Sequence, residues 1–122
     1  MRATAPKLVI LVDDLRSFRD DHACLIARTS DDALSLLRKH RNEHTAELWV
    51  DHDLGMLPDG RDHTTMPVVD ALLAAAYDDH PYDIGLILLH TSSPVGAARM
   101  HQALAQARYR VRRHPESIWT VG

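Results

Sequence analysis

The chain has 122 residues, of which 45% are apolar, and its formal net charge at pH 7 is −3. This length predicts a single domain, spanning residues 1–122, that is large enough to bury its own core. The negative charge argues against a surface that coats nucleic acid in general, although it leaves room for a local phosphate pocket.

Four short apolar segments and one segment that alternates apolar residues with arginine are typical of strands, and amphipathic segments lie between most of them. The first, from Leu8 to Val12, is too short for a signal-peptide core or a membrane span, so we expect a cytoplasmic protein without membrane contact. It contains no alternating polar residue, which indicates the covered centre of a parallel sheet. Only a short polar stretch separates it from the second strand, Ala23 to Ala27, so the first crossover helix should be reduced or absent.

The rest of the chain continues the alternation of helix and strand. Strands separated by amphipathic helices predict an α/β fold of three layers with right-handed crossovers. The sequence leaves open whether the tail after the last strand docks on the domain. The further predicted elements are a helix capped by Ser30 that ends near Asn42, a strand from Glu47 to Val50, an irregular loop from Leu54 to Thr64, a helix from about Pro67 to Asp79, a strand from Ile84 to Leu89, a helix from Pro94 to about Ala107, and an edge strand from Tyr109 to Arg113.

Four aspartates follow two of the predicted strands. Asp13 and Asp14 come after the first strand, and Asp51 and Asp53 come after the third. The flavodoxin-like order 2-1-3-4-5 of a five-stranded parallel sheet places these two strands side by side at the edge where ligands bind. Carboxylates so close together repel each other, so either a divalent cation binds them or their pKa values separate. A role for Asp13 or Asp53 in capping a turn is the alternative.

The chemistry of these ligands limits the choice of metal. Oxygen ligands with room for water favour Mg²⁺ or Mn²⁺. If a histidine joined the site, Mn²⁺, Fe²⁺ or Zn²⁺ would fit as well, and His52 and His90 both stand directly after strands. The predicted metal ligands are Asp13, Asp14 and Asp51.

The fourth strand ends in a polar junction, His90–Ser93, that leads into a helix. Free backbone N–H groups, hydroxyls and the helix dipole form an anion site at such a junction, although a serine could equally serve only as the N-cap. Arginine suits bidentate contact with phosphate, but Arg99 could also be a solvated surface residue. The residues predicted to bind phosphate are Arg16, Thr91, Ser92, Ser93 and Arg99.

This pattern resembles the receiver domains of response regulators, which carry an acidic pair, an acceptor aspartate and a hydroxyl at these places. The resemblance implies that Asp13 and Asp14 bind the metal, that Asp51 accepts a phosphoryl group and that Thr91 is the switch hydroxyl. The lysine that receivers carry after the fifth strand has no match, because Arg112–His114 stands there. The long first helix of receivers is missing too.

Three sequence blocks resemble more closely the receiver-like family of cyclic-phosphate-processing receiver domains. The resemblance extends from Leu8 to Val111, and it implies a flavodoxin-like, receiver-like fold and processing of cyclic phosphate ends, including those of RNA. Thr91, Ser93 and Thr65-Met66 depart from the family's Ser, Asn and Thr-Gly. The blocks are Val12-Asp13-Asp14-Leu15-Arg16, Asp51-His52-Asp53-Leu54-Gly55 and His90-Thr91-Ser92-Ser93-Pro94-Val95-Gly96-Ala97-Ala98-Arg99-Met100.

Two functions therefore stay open. The first is a metal-dependent phosphoesterase that acts on a 2′,3′-cyclic nucleotide or RNA end, with His52, His90 and Asp53 as catalytic residues and a histidine protonating the leaving oxygen. Its partner is a phosphorylated small molecule or an RNA end. The alternative is a divergent receiver, a signalling or binding module phosphorylated on Asp51. The missing lysine counts against that alternative, which also leaves the two histidines unexplained.

Overall fold

The fold is described by a computed structural model over residues 8–14, 16–18, 24–56, 59–90, 94–113 and 119–121. None of the helices in these ranges is both long and apolar enough to span a membrane. In chain order the elements are β1 (Leu8–Val12), β2 (Arg16–Phe18), β3 (Leu25–Ala27), α1 (Ser30–Lys39), β4 (Thr45–Val50), β5 (Asp53–Met56), β6 (Asp62–Thr64), α2 (Met66–Tyr77), β7 (Ile84–Leu89), α3 (Pro94–Gln106), β8 (Val111–Arg113) and β9 (Trp119–Val121).

Five strands form one parallel sheet in the order β3-β1-β4-β7-β8. Numbered among themselves, these strands have the order 2-1-3-4-5, so the predicted flavodoxin-like α/β sheet is confirmed. No described residue between β1 and β3 is helical, as expected for a reduced first crossover. Instead, β2 pairs antiparallel with β9. The sequence left the docking of the tail open, and this pairing shows that residues 119–121 return to the domain.

The two faces of the sheet are covered differently. The larger core cluster joins the strand residues of one face, such as Ile10, Leu48 and Ile87, to residues of all three helices. The smaller cluster lies on the other face and contains Leu11 and Trp49, with Cys24 packed against it. None of its members belongs to a helix in the described ranges. The second helical layer of the expected three-layer arrangement is therefore not seen in this part of the chain.

Several predicted boundaries are corrected by the structure. The N-cap of α1 is Thr29 rather than Ser30, because Thr29 has an extended backbone and its hydroxyl accepts from the Asp32 N–H at 3.0 Å. The helix ends at Lys39, before Asn42. The predicted irregular loop contains the antiparallel hairpin β5–β6. The strands β3 and β8 begin two residues later than predicted, β4 begins two residues earlier, α2 spans 66–77 and α3 ends at 106.

Tyr109 connects α2 to the segment before β7. It is buried, its hydroxyl donates to the Leu72 carbonyl at 2.8 Å, and the Tyr82 N–H donates to that hydroxyl at 3.2 Å. Burial raises the pKa of Tyr109, and the Tyr82 hydrogen bond opposes this only in part. At a pH just above the pKa of an unfolded tyrosine, the phenol of Tyr109 is therefore still neutral in the folded protein.

We expect Tyr109→Phe to lower the free energy of unfolding by about 1–3 kcal/mol near neutral pH, because it leaves the partly buried Tyr82 N–H without its acceptor and removes the buried hydrogen bond to the Leu72 carbonyl. The contribution of the tyrosine is complete below its unfolded pKa of about 10 and is lost as pH rises towards the higher folded pKa. Urea unfolding between pH 7 and pH 11 measures this: stability should fall less steeply above pH 10 in the variant. A variant that falls as steeply as wild type would contradict the assignment.

Candidate functional site

Three predicted site residues lie side by side at the carboxyl edge of the sheet. Backbone hydrogen bonds continue the strand pairing by one residue, from Asp51 N–H to the Val12 carbonyl at 3.0 Å and from His90 N–H to the Val50 carbonyl at 3.1 Å. Asp13 is held in the same way, since its N–H donates to the carbonyl of Ala27 at 3.0 Å. The three side chains therefore leave from adjacent strands.

The innermost feature of the site is a buried carboxylate–imidazole pair. The Oδ2 atom of Asp13 lies 2.9 Å from Nε2 of His90, and the two side chains are 1% and 0% exposed. The ring of Trp49 lies against His90, with centroids 6.3 Å apart. Because a buried carboxylate needs a hydrogen-bonding or charged partner, the imidazole stabilises Asp13 and the carboxylate in turn orients the ring.

Asp51 completes a cluster that could hold a metal ion. It is partly buried, and one potential ligand atom from each of Asp13, Asp51 and His90 lies within 4.8 Å of the others. Ligand atoms bound to one cation at about 2.1 Å lie no more than about 4.2 Å apart, so small side-chain movements would bring the three atoms to bonding distance. Two carboxylate oxygens and an imidazole nitrogen fit a divalent ion such as Mn²⁺.

His90 cannot use the same nitrogen for both tasks at once. If Nε2 carries the proton that it donates to Asp13, that nitrogen has no lone pair for a metal. If a metal binds at Nε2, the hydrogen bond to Asp13 is replaced by shared coordination. The cluster is therefore either a carboxylate pair assisted by an oriented histidine or a ligand set of three residues in which His90 binds through Nε2 or through Nδ1.

Asp14 and His52 occupy the more exposed rim of the site. Both side chains are partly buried. A Cβ atom built on Gly55 would lie 3.2 Å from Oδ2 of Asp14, which places this carboxylate against β5. A Cβ built on Gly96 would lie 2.6 Å from Cγ of His52, so this ring packs directly on the first turn of α3. Asp14 lies outside the three-residue cluster, and its role as a metal ligand stays a prediction.

The predicted phosphate-binding residues are less well placed by the structure. Arg99 is exposed on α3. Asp53, which was predicted to be catalytic, is the first residue of β5, and its backbone pairs with Thr64. Phosphate binding at the junction before α3 stays a prediction. Thr91, Ser92 and Ser93 lie outside the described part of the chain, as do the side chains of Arg16 and Asp53.

Two residues that contact the site were not predicted from the sequence. The guanidinium of Arg28 donates to the backbone carbonyl of Asp13 at 3.3 Å. Arg28 directly follows β3, so its position at a strand end predicts a place at this edge of the sheet, as it does for Asp13. Gly96 was part of a recognised block but had no assigned role, and its contact with His52 joins elements that are remote in sequence.

Comparison with known proteins agrees with this geometry. A family model described as the cyclic-phosphate processing receiver domain matches residues 8–106. No curated protein and no solved structure shows significant similarity to the chain. The matched range runs from β1 to the end of α3 and includes Asp13, Asp51 and His90. The chain therefore belongs to the cyclic-phosphate processing receiver domain family.

Proposed function

We propose that this protein is a metal-dependent enzyme that opens a cyclic phosphate, of the kind found in 2′,3′-cyclic nucleotides and at RNA ends. The observation that carries the proposal is the buried pair of Asp13 and His90 with Asp51 beside it, with one potential ligand atom from each residue within 4.8 Å of the others. A histidine in such a cluster adds proton transfer to the carboxylates' capacity for binding a cation.

In this proposal each side chain has a separate task. Asp13 and Asp51 hold the divalent cation, which supplies positive charge against the phosphate oxygens. In hydrolysis, a water oxygen bonds to phosphorus, the bond from phosphorus to one ribose oxygen breaks, and that oxygen takes up a proton. His52 at the rim can give this proton. His90, oriented by Asp13, can accept the proton of the water when its Nδ1 atom is unprotonated.

A second function, that of a receiver phosphorylated on Asp51, has one observation in its favour. Asp51 directly follows the central strand β4 and is only partly buried, so a phosphoryl donor can reach it. Against it, the lysine that receivers carry after the fifth strand has no match in this chain. Arg112 and Arg113 belong to β8 and are exposed, and the next residue, His114, lies outside the described ranges. The two functions therefore predict different roles for Asp51, which binds a metal in the enzyme and accepts a phosphoryl group in the receiver.

The experiment incubates the purified chain with 2′,3′-cyclic nucleotides and Mg²⁺ or Mn²⁺, and in parallel with acetyl phosphate. If the protein is the proposed enzyme, nucleoside monophosphate should form, and its formation should stop when a chelator removes the metal. Stable phosphoryl label on Asp51, with no turnover of any cyclic phosphate, would instead make the protein a signalling module.

The metal site itself is tested with Asp51→Asn. We expect this substitution to weaken Mn²⁺ binding by at least about 10- to 100-fold, since even the loss of an indirect partner of a metal ligand has that effect. Calorimetric titration measures the affinity. Asp70→Asn on the exposed face of α2 is the matched control, because it removes the same charge away from the site. Equal affinities in Asp51→Asn and wild type would remove Asp51 from the metal site.

A further inference from the structure

The β5–β6 hairpin crosses the carboxyl end of β1. It begins at Asp53, three residues after the last residue of β4, and its second strand reaches α1, where His63 contacts Ser30. The helix α1 follows β3, and β1 lies between β3 and β4 in the sheet. A hairpin that runs from the end of β4 to the start of α1 therefore passes over the end of β1, where Asp13 and Asp14 lie.

The hairpin approaches one of these acidic residues at Gly55. This glycine has a positive φ of 87°, and a Cβ built on it would lie 3.2 Å from Oδ2 of Asp14. That distance is shorter than an ordinary van der Waals contact. The absence of a side chain at Gly55 thus lets the hairpin lie against the carboxylate of Asp14 and leaves it little room to move in that direction.

The second strand of the hairpin is held by His63. Its Nε2 atom lies 2.9 Å from the hydroxyl oxygen of Ser30, and the Ser30 N–H donates to the same nitrogen at 3.3 Å. Ser30 is the first residue of α1, so its N–H has no acceptor within the helix. The imidazole supplies that acceptor, and the contact ties the hairpin to the helix.

We propose that the hairpin fixes Asp14 in the metal site and that Gly55 and His63 are the positioning residues through which it does so. Gly55 permits the close approach to the carboxylate, and His63 keeps the hairpin at α1. The inference rests on the proposed function in one respect, namely that Asp14 contributes to binding the divalent cation.

Two glycines of the same connection provide a matched test. Gly55 and Gly60 have φ values of 87° and 86°, so alanine strains the backbone to a similar extent at either position. A Cβ at Gly60 meets nothing within 4 Å, whereas one at Gly55 meets the carboxylate of Asp14. We expect Gly55→Ala to weaken Mn²⁺ binding by about tenfold, the lower range for a displaced partner of a metal site, and Gly60→Ala to leave it unchanged.

The calorimetric titration is repeated with Asp14→Ala and with the double variant Asp14→Ala/Gly55→Ala. If Gly55 acts through Asp14, the glycine substitution has no further effect once the carboxylate is absent. Equal Mn²⁺ affinities in Gly55→Ala and Gly60→Ala would overturn the inference. So would a wild-type chain that binds no Mn²⁺, whether or not it processes cyclic phosphates.

The contact of His63 is tested by hydrogen exchange, which needs neither metal nor substrate. We expect His63→Ala to speed amide exchange in residues 53–56 and 62–64 on the order of tenfold, which corresponds to the loss of one or two hydrogen bonds. His63→Gln should restore the slow exchange, because its amide oxygen can accept from Ser30. His80→Ala, at an exposed histidine elsewhere, is the control. Unchanged exchange in His63→Ala would show that the hairpin is held by other contacts.

The two sets of results separate this inference from the enzyme proposal. Slow exchange that depends on His63, together with Mn²⁺ binding that depends on Gly55, supports the positioning role even if no cyclic phosphate is turned over. Turnover of cyclic phosphates by a chain in which neither substitution has an effect supports the enzyme and overturns the positioning role.

Discussion

Replacing His90 by alanine should lower the turnover of a 2′,3′-cyclic nucleotide by about 10²–10⁴-fold, the usual worth of a general acid or base. The imidazole is buried, and its Nε2 atom lies 2.9 Å from Oδ2 of Asp13. Its removal takes away both a proton-transfer group and the partner that stabilises the carboxylate. The measurement is kcat/KM for the cyclic nucleotide at saturating Mn²⁺, with thermal unfolding as a check on the fold.

The same variant decides between the two chemical roles of His90. Calorimetric Mn²⁺ affinity should change little if the histidine transfers protons, and should fall together with activity if it is a metal ligand. His90→Gln retains a polar side chain that can contact Asp13, so it serves where alanine destabilises the fold. His101→Ala, at a partly buried histidine of α3, is the control. Full turnover in both His90 variants would remove this residue from the mechanism.

The convergence of Asp13, Asp51 and His90 could be predicted from the sequence because it depends only on strand order. Each residue directly follows an apolar strand, and parallel strands bring their carboxyl ends to one edge. The pattern that identified the strands therefore also brought these residues together, although it named Asp13, Asp14 and Asp51 as the metal ligands and the cluster contains His90 in place of Asp14. It could not distinguish a metal ligand from a proton-transfer group in His90, because that depends on a hydrogen bond between remote residues.

The hairpin over the site could not be predicted in the same way. The strand β5 alternates apolar with other residues over only four positions, and β6 has no apolar residue, so neither gives the longer alternation that marks a half-buried strand. Their pairing is set by contacts made in the folded chain, such as that of His63 with Ser30. The predicted N-cap of α1 was wrong by one residue for a related reason. Thr29 and Ser30 are both good caps, and the backbone conformation of the folded chain determines which of them caps the helix.

The contact between Gly96 and His52 predicts the second large effect. A Cβ at residue 96 would lie 2.6 Å from Cγ, 2.8 Å from Cδ2 and 3.0 Å from Nδ1 of the His52 ring. Because Cγ is the first ring atom, the imidazole can avoid the new methyl group only by a change of side-chain rotamer or a shift of α3. We expect Gly96→Ala to lower kcat by about 10²-fold if His52 gives the proton to the leaving oxygen.

Loss of stability must be separated from loss of the histidine's position. Overpacking at Gly96 should destabilise the fold by about 1–3 kcal/mol. Gly85→Ala is the matched control, because its Cβ would lie 2.8 Å from the Ala46 carbonyl oxygen, at the opposite end of the sheet. We expect this control to lower the thermal unfolding temperature and to leave kcat nearly unchanged in chains that remain folded.

A double variant shows whether Gly96 acts through His52. In His52→Ala the ring that a Cβ at residue 96 would meet is gone, so adding Gly96→Ala should change kcat/KM little. The effects of the two substitutions are then far from additive, as expected for residues in direct contact. If Gly96→Ala lowered kcat/KM by the same factor in both backgrounds, the glycine would serve the packing of α3 rather than the position of His52, and the proton donor would have to be sought elsewhere at the rim.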